Sequence, residues 1–169
     1  MELVAIVEPS SGTNPGHMVI GQEAVGAEPR FFGFRFDPNS LPDEFQSPDR
    51  WQEYFYSKKT LGSIHDETLY VRNLRKRNPD DCCEKRVVCD VLLESTLPPE
   101  PNWKHFAYYS FRPDDFNSDA EPCYNCVTWA IMIASKLVPG FLLPVSQGRI
   151  KFILRQLRAA AANSGESNG

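Results

Sequence analysis

The segment "YNCVTWAIMIASKLVPG", residues 124–140, constrains this chain more than any other stretch. Cys126, Trp129, Ala130, Ile133 and Leu137 recur at i, i+3, i+4, i+7 and i+11, which draws one continuous apolar stripe along a helix. Asn125 is a favoured N-cap residue, and Pro139-Gly140 stops the chain from continuing, so the spacing predicts a helix over about 126–138. Such a helix must lay its stripe on a partner, and most of the remaining apolar segments read as strands.

"HMVIG" and "RFFGFRF" flank the turn-like "QEAVGAEP" and read as a β-hairpin with branched and aromatic residues on both arms. "DETLYVRNL", "KRVVCDVLL" and "KHFAYYSF" read as further strands. Between them, "PNSLPDEFQSPDRWQEYFYSKKTLG" holds one short helix over about 49–57, with Trp51, Tyr54 and Phe55 on one face, and a last helix is expected over about 146–161. The 14 prolines of the 169 residues, above the usual 5% or so, fall mostly between these segments as loop punctuation. The expected architecture is α+β, a mostly antiparallel β-sheet with helices packed on it. It forms one domain over residues 1–161, followed by a tail over 162–169 that is disordered by composition.

A net charge of −4, with 41% apolar and 24% charged residues, describes a soluble globular chain that has little to attract a polyanion, so nucleic acid is not an expected partner. "MELVAIVEPS" has an acidic second residue and too short an apolar run for a signal peptide, and no stretch reaches transmembrane length. The protein is therefore expected in the cytoplasm at synthesis, with any export using a dedicated secretion system. Cysteines at 82, 83, 89, 123 and 126 are odd in number and include an adjacent pair, which argues against a disulfide framework.

Cys126 falls in the first turn of the predicted helix, on its inward-facing side. Unpaired backbone N–H groups and the positive end of the helix dipole lower a thiol pKa there, and the same N–H groups can receive charge from a carbonyl under attack. Free cysteine is also among the most buried residue types, so on position alone a packed core residue is the commoner reading. A thiol nucleophile needs a base, and the candidates are His17, His65 and His105. His17 opens the apolar strand after Pro15-Gly16 and shares a face with Val19 and Gly21. His65 beside Asp66 reads as a solvated loop pair. His105, in "KHFAYYSF", is the alternative base.

A Gly-His strand, "GHMVIG", followed by the aromatic strand "FFGFRFDP" and, far downstream, by "YNCVTWA" opening a helix, resembles the circularly permuted papain-like cysteine hydrolases. These are the permuted relatives of NlpC/P60 enzymes and of lecithin:retinol acyltransferase, and the resemblance spans residues 15–138 in order. It implies the permuted papain-like fold, with Cys126 as nucleophile and His17 as general base. The residue that orients the imidazole is expected on the strand after His17, where Arg35 and Asp37 stand, with Glu23 in the turn. Tyr124 is a candidate substrate contact or a packed loop aromatic. The chain departs from ordinary NlpC/P60 members at the helix start, which reads Asn-Cys-Val-Thr rather than Asp-Cys-Ser-Gly.

The resemblance implies acyl transfer without a cofactor: a thiol amidase or peptidase working through a thioester on a peptide, amide or acyl substrate, in a family that includes bacterial effectors and toxins. The alternatives are a lipid or thioester acyltransferase, and an inert peptide- or lipid-binding module of the same fold. A zinc site from Cys82 or Cys83, Cys89, Cys123 and Cys126 is the chemical rival, but its first half lacks ligand spacing, so no metal is expected. Cys123 reads as a loop cysteine or as a partner for an oxidised Cys126. Arg149, Lys151, Arg155 and Arg158 make the last predicted helix cationic and amphipathic, which permits contact with a membrane surface, although packing on its own domain is the commoner fate.

Overall fold

A computed structural model describes residues 1–8, 16–55, 57–77 and 83–141. Seven strands form one curled sheet: β1 (Glu2–Glu8), β2 (His17–Glu23), β3 (Arg30–Phe36), β4 (Thr60–Asp66), β5 (Cys83–Val88), β6 (Ala107–Tyr109) and β7 (Cys123–Tyr124). Their order is β5-β1-β2-β3-β4-β6-β7, antiparallel except for the short β6/β7 pair. Three α-helices accompany the sheet, α1 (Trp51–Phe55), α2 (Thr68–Arg77) and α3 (Cys126–Leu137). The α+β class and the mostly antiparallel sheet agree with the sequence reading.

The inner strands are buried on both faces, which is why they lack polar alternation. Leu3, Ala5, Val7, Met18, Ile20, Phe32 and Phe34 cluster with the apolar stripe of α3. Their alternates Val4, Ile6, Val19 and Phe31 cluster with Val71 and Leu74 of α2. The stripe residues Cys126, Trp129, Ala130, Ile133 and Leu137 are all buried, as their spacing requires. Their helix runs across β2 and β3, the two arms of the hairpin read from sequence.

Several expectations are corrected. "DETLYVRNL" is not a strand: Asp66 Oδ1 accepts the Thr68 backbone N–H at 2.9 Å and starts α2, whose Val71 and Leu74, three apart, turn inward. The strand at that place is the preceding "TLGSIHD", β4, which takes in the expected loop pair His65-Asp66. "ELVAIVE" is β1, an inner strand whose unbroken apolar run suits burial on both faces. "KRVVCDVLL" is strand only to Val88, and "KHFAYYSF" only over Ala107–Tyr109, because His105 before it adopts a left-handed backbone (φ 55°) that no strand continues through. The expected last helix, its four cations, Cys82 and the 162–169 tail lie outside the described residues. No helix among the described residues is long and apolar enough to cross a membrane.

Candidate active site

The start of α3 is built by a capping box. Asn125 Oδ1 accepts the Thr128 N–H at 2.8 Å, and Thr128 Oγ1 accepts the Asn125 N–H at 2.9 Å. Cys126, the next residue, is held 4% exposed with its sulfur at the end of β2. There Gly16, in the left-handed region (φ 87°), feeds the chain into His17, the first residue of that strand. The two side chains meet in a hydrogen bond, and the Met18 backbone N–H also supports the sulfur.

Glu67 completes the group. It stands at the junction of β4 and α2, where its backbone N–H donates to the Phe31 carbonyl at 2.7 Å and pins it against β3. Its buried Oε1 lies 3.1 Å from His17 Nε2, which leaves Nδ1 of the imidazole for the thiol. Arg35 closes on the same carboxylate from β3, donating from Nε to Oε1 and from Nη2 to Oε2. Tyr70 packs edge-on against the imidazole (5.3 Å between centroids), carries the Arg35 guanidinium over its ring, and donates its hydroxyl to Glu8. Gly33 leaves the space this needs. A Cβ there would fall 2.8 Å from Glu67 Oε1 and 3.1 Å from His17 Nε2.

These contacts set the charges. Burial pushes the Cys126 thiol up, but the hydrogen bond and positive charge of His17, the Met18 N–H and the more distant Arg35 outweigh it and hold the thiol below its ordinary value. Burial would lower the His17 pKa, yet Cys126 and Glu67 reverse this and raise it. For Glu67, burial is overcome by His17 and Arg35, which draw its pKa down to about 2. The result favours a thiolate and an imidazolium held together in a buried place. Cys123, three residues earlier, shows the opposite behaviour: burial pushes its thiol up to about 11.

Because the Glu67 pKa falls from 4.5 to about 2, its share of stability is present above pH 4.5 and is lost as pH drops toward 2. That share is on the order of 3 kcal/mol. Glu67→Gln is expected to flatten this acid loss, measured as denaturant midpoints between pH 6 and pH 3. It should also lower the His17 pKa by removing the anion that supports the imidazolium.

Of the residues expected at the site, Cys126 and His17 are brought together. Arg35 is present, but it holds Glu67 rather than the imidazole. Asp37 accepts the Asn39 N–H and lies 4.0 Å from His105, and Glu23 pairs with Arg75 and Arg86, so neither orients His17. His105 is exposed in its turn and faces Asp37. His65 lies on β4 rather than in a loop, and burial lowers its pKa. Tyr124 packs edge-on against Phe34 at 6.1 Å. Glu67 and Tyr70 were missed. The signal that points to them is Asp66-Glu67-Thr68 as a helix start, with Asp66 Oδ1 accepting the Thr68 N–H just before α2. No group of three or more His, Cys, Asp or Glu side chains among the described residues is placed to hold a metal ion.

The arrangement can generate a nucleophilic sulfur beside a proton donor, with the start of α3 behind it to receive negative charge. Comparison with protein-family models, with curated proteins and with solved structures found no match.

Proposed function

We propose that this protein is a cysteine hydrolase, a thiol amidase or peptidase of the permuted papain-like type. The observation that carries the reading is the contact between Cys126, opening a capped helix, and a His17 imidazole backed by Glu67 and Arg35. The Cys126 thiolate attacks the substrate carbonyl carbon, forming a C–S bond, and the carbonyl oxygen takes the negative charge beside the Cys126 backbone N–H. The His17 imidazolium gives its proton to the leaving nitrogen as the C–N bond breaks, leaving a thioester. Water then attacks the thioester while neutral His17 takes its proton. The carboxylic product departs, and the thiolate and imidazolium are restored. Glu67 keeps Nε2–H engaged throughout, so the imidazole presents Nδ1 to the reaction.

With p-nitrophenyl acetate as acyl donor, a burst of p-nitrophenol is expected, with one acetyl group on the peptide containing Cys126 by mass spectrometry. Cys126→Ala should lose both. A burst that persists in Cys126→Ala, or acetyl on another residue only, would overturn the reading.

A further inference from the structure

We infer that the substrate carries a bulky, uncharged aromatic group next to the scissile carbonyl, a proposal that rests on the hydrolase reading above. A cavity of about 450 Å³ adjoins His17, within the range of about 300–1,000 Å³ typical of small-molecule sites. Its walls are rings: Phe34, Phe36, Trp51 and Tyr109, with Tyr70 beside the imidazole. Phe36 meets Trp51 edge-on at 4.8 Å and Tyr109 at 5.3 Å, and Phe34 meets Tyr109 at 5.9 Å, so these side chains brace one another.

The polar groups of the lining are mostly engaged. Arg35 is bound to Glu67 and Glu8 to Tyr70, while His65 and Arg77 stand exposed at the rim. Trp51 is different. Its indole Nε1 is buried and makes no hydrogen bond among the described residues, and the residue lines the cavity. An occupant therefore meets aromatic faces and edges on most sides and one buried donor, the Trp51 indole N–H. An aromatic group with an adjacent carbonyl satisfies both, whereas a carboxylate pressed on those rings would lose its hydration with only the exposed rim residues Arg77 and His65 to meet it.

The test uses the whole protein and four probes, the chloromethyl ketones of N-acetyl-phenylalanine, -alanine, -aspartate and -lysine. Alkylation of Cys126 by each is followed by mass spectrometry and divided by its rate with iodoacetamide at the same pH. The phenylalanine probe should exceed each of the other three by about tenfold or more. Trp51→Ala should shrink the ratio of phenylalanine to alanine toward one. Equal rates for all four probes, with Cys126 still far faster toward iodoacetamide than Cys123, would overturn this inference and leave the hydrolase reading standing. A Cys126 no faster than Cys123 toward iodoacetamide would overturn the hydrolase reading itself, and the inference with it.

Discussion

Replacing His17 by alanine is expected to slow alkylation of Cys126 at pH 6 by on the order of a hundredfold, because at pH 6 each unit of rise in thiol pKa removes about nine-tenths of the thiolate. In the intact protein the imidazole supplies the largest of the effects that oppose burial at this sulfur. Without it the helix start remains, but a helix terminus contributes only about 0.3–1 kcal/mol, less than one unit of pKa. Burial should then prevail and move the thiol above its ordinary value of 9.0. Cys123, already at about 11 and without contact to His17, serves as an internal control whose rate should not change. An unchanged Cys126 rate in a folded His17→Ala protein would mean that the helix start alone activates the sulfur.

Gly33→Ala should damage the site more than the fold. The new methyl would sit 2.8 Å from Glu67 Oε1, closer than real methyl contacts come, and 3.0 Å from its Cγ and 3.1 Å from His17 Nε2, tight enough that the neighbours must give. Glu67 is a flexible side chain, so the strand can survive if the carboxylate swings away, but it then releases both His17 and Arg35. A stability loss of about 1–3 kcal/mol is expected from overpacking and the lost charged hydrogen bonds. The Cys126 thiol pKa should rise together with it. The two substitutions share one mechanism, so adding Gly33→Ala to Glu67→Ala should cost much less than adding it to the native chain. Urea denaturation and alkylation of the four proteins measure both effects; full additivity would show that Gly33 and Glu67 act independently.

The parts of this site legible in the sequence are those carried by short-range patterns. The stripe from Cys126 to Leu137, Asn125 before it and the Pro139-Gly140 stop define α3 within a residue. Branched and aromatic residues around the Gln22-to-Pro29 turn likewise mark the hairpin that begins with His17. Glu67 was not legible because its role depends on a contact with a histidine 50 positions away across the sheet. It was also hidden by the apolar run Leu69-Tyr70-Val71, which suits a strand unless Asp66 is recognised as a cap. Arg35 meets the site through the carboxylate: an arginine is a poor orienter of imidazole, but it is an apt clamp for Glu67. The need for glycine at position 33 follows only from where Glu67 and His17 converge.

The most direct test is the pH profile of Cys126 alkylation by iodoacetamide in the native protein, read peptide by peptide against Cys123. Cys126 should titrate with a midpoint below that of an ordinary thiol and well below that of Cys123, and should dominate the labelling at pH 6. A Cys126 that titrates at or above 9.0, labelled no faster than Cys123 across the range, would contradict the thiolate–imidazolium pair and leave Cys126 as a packed residue of the α3 stripe.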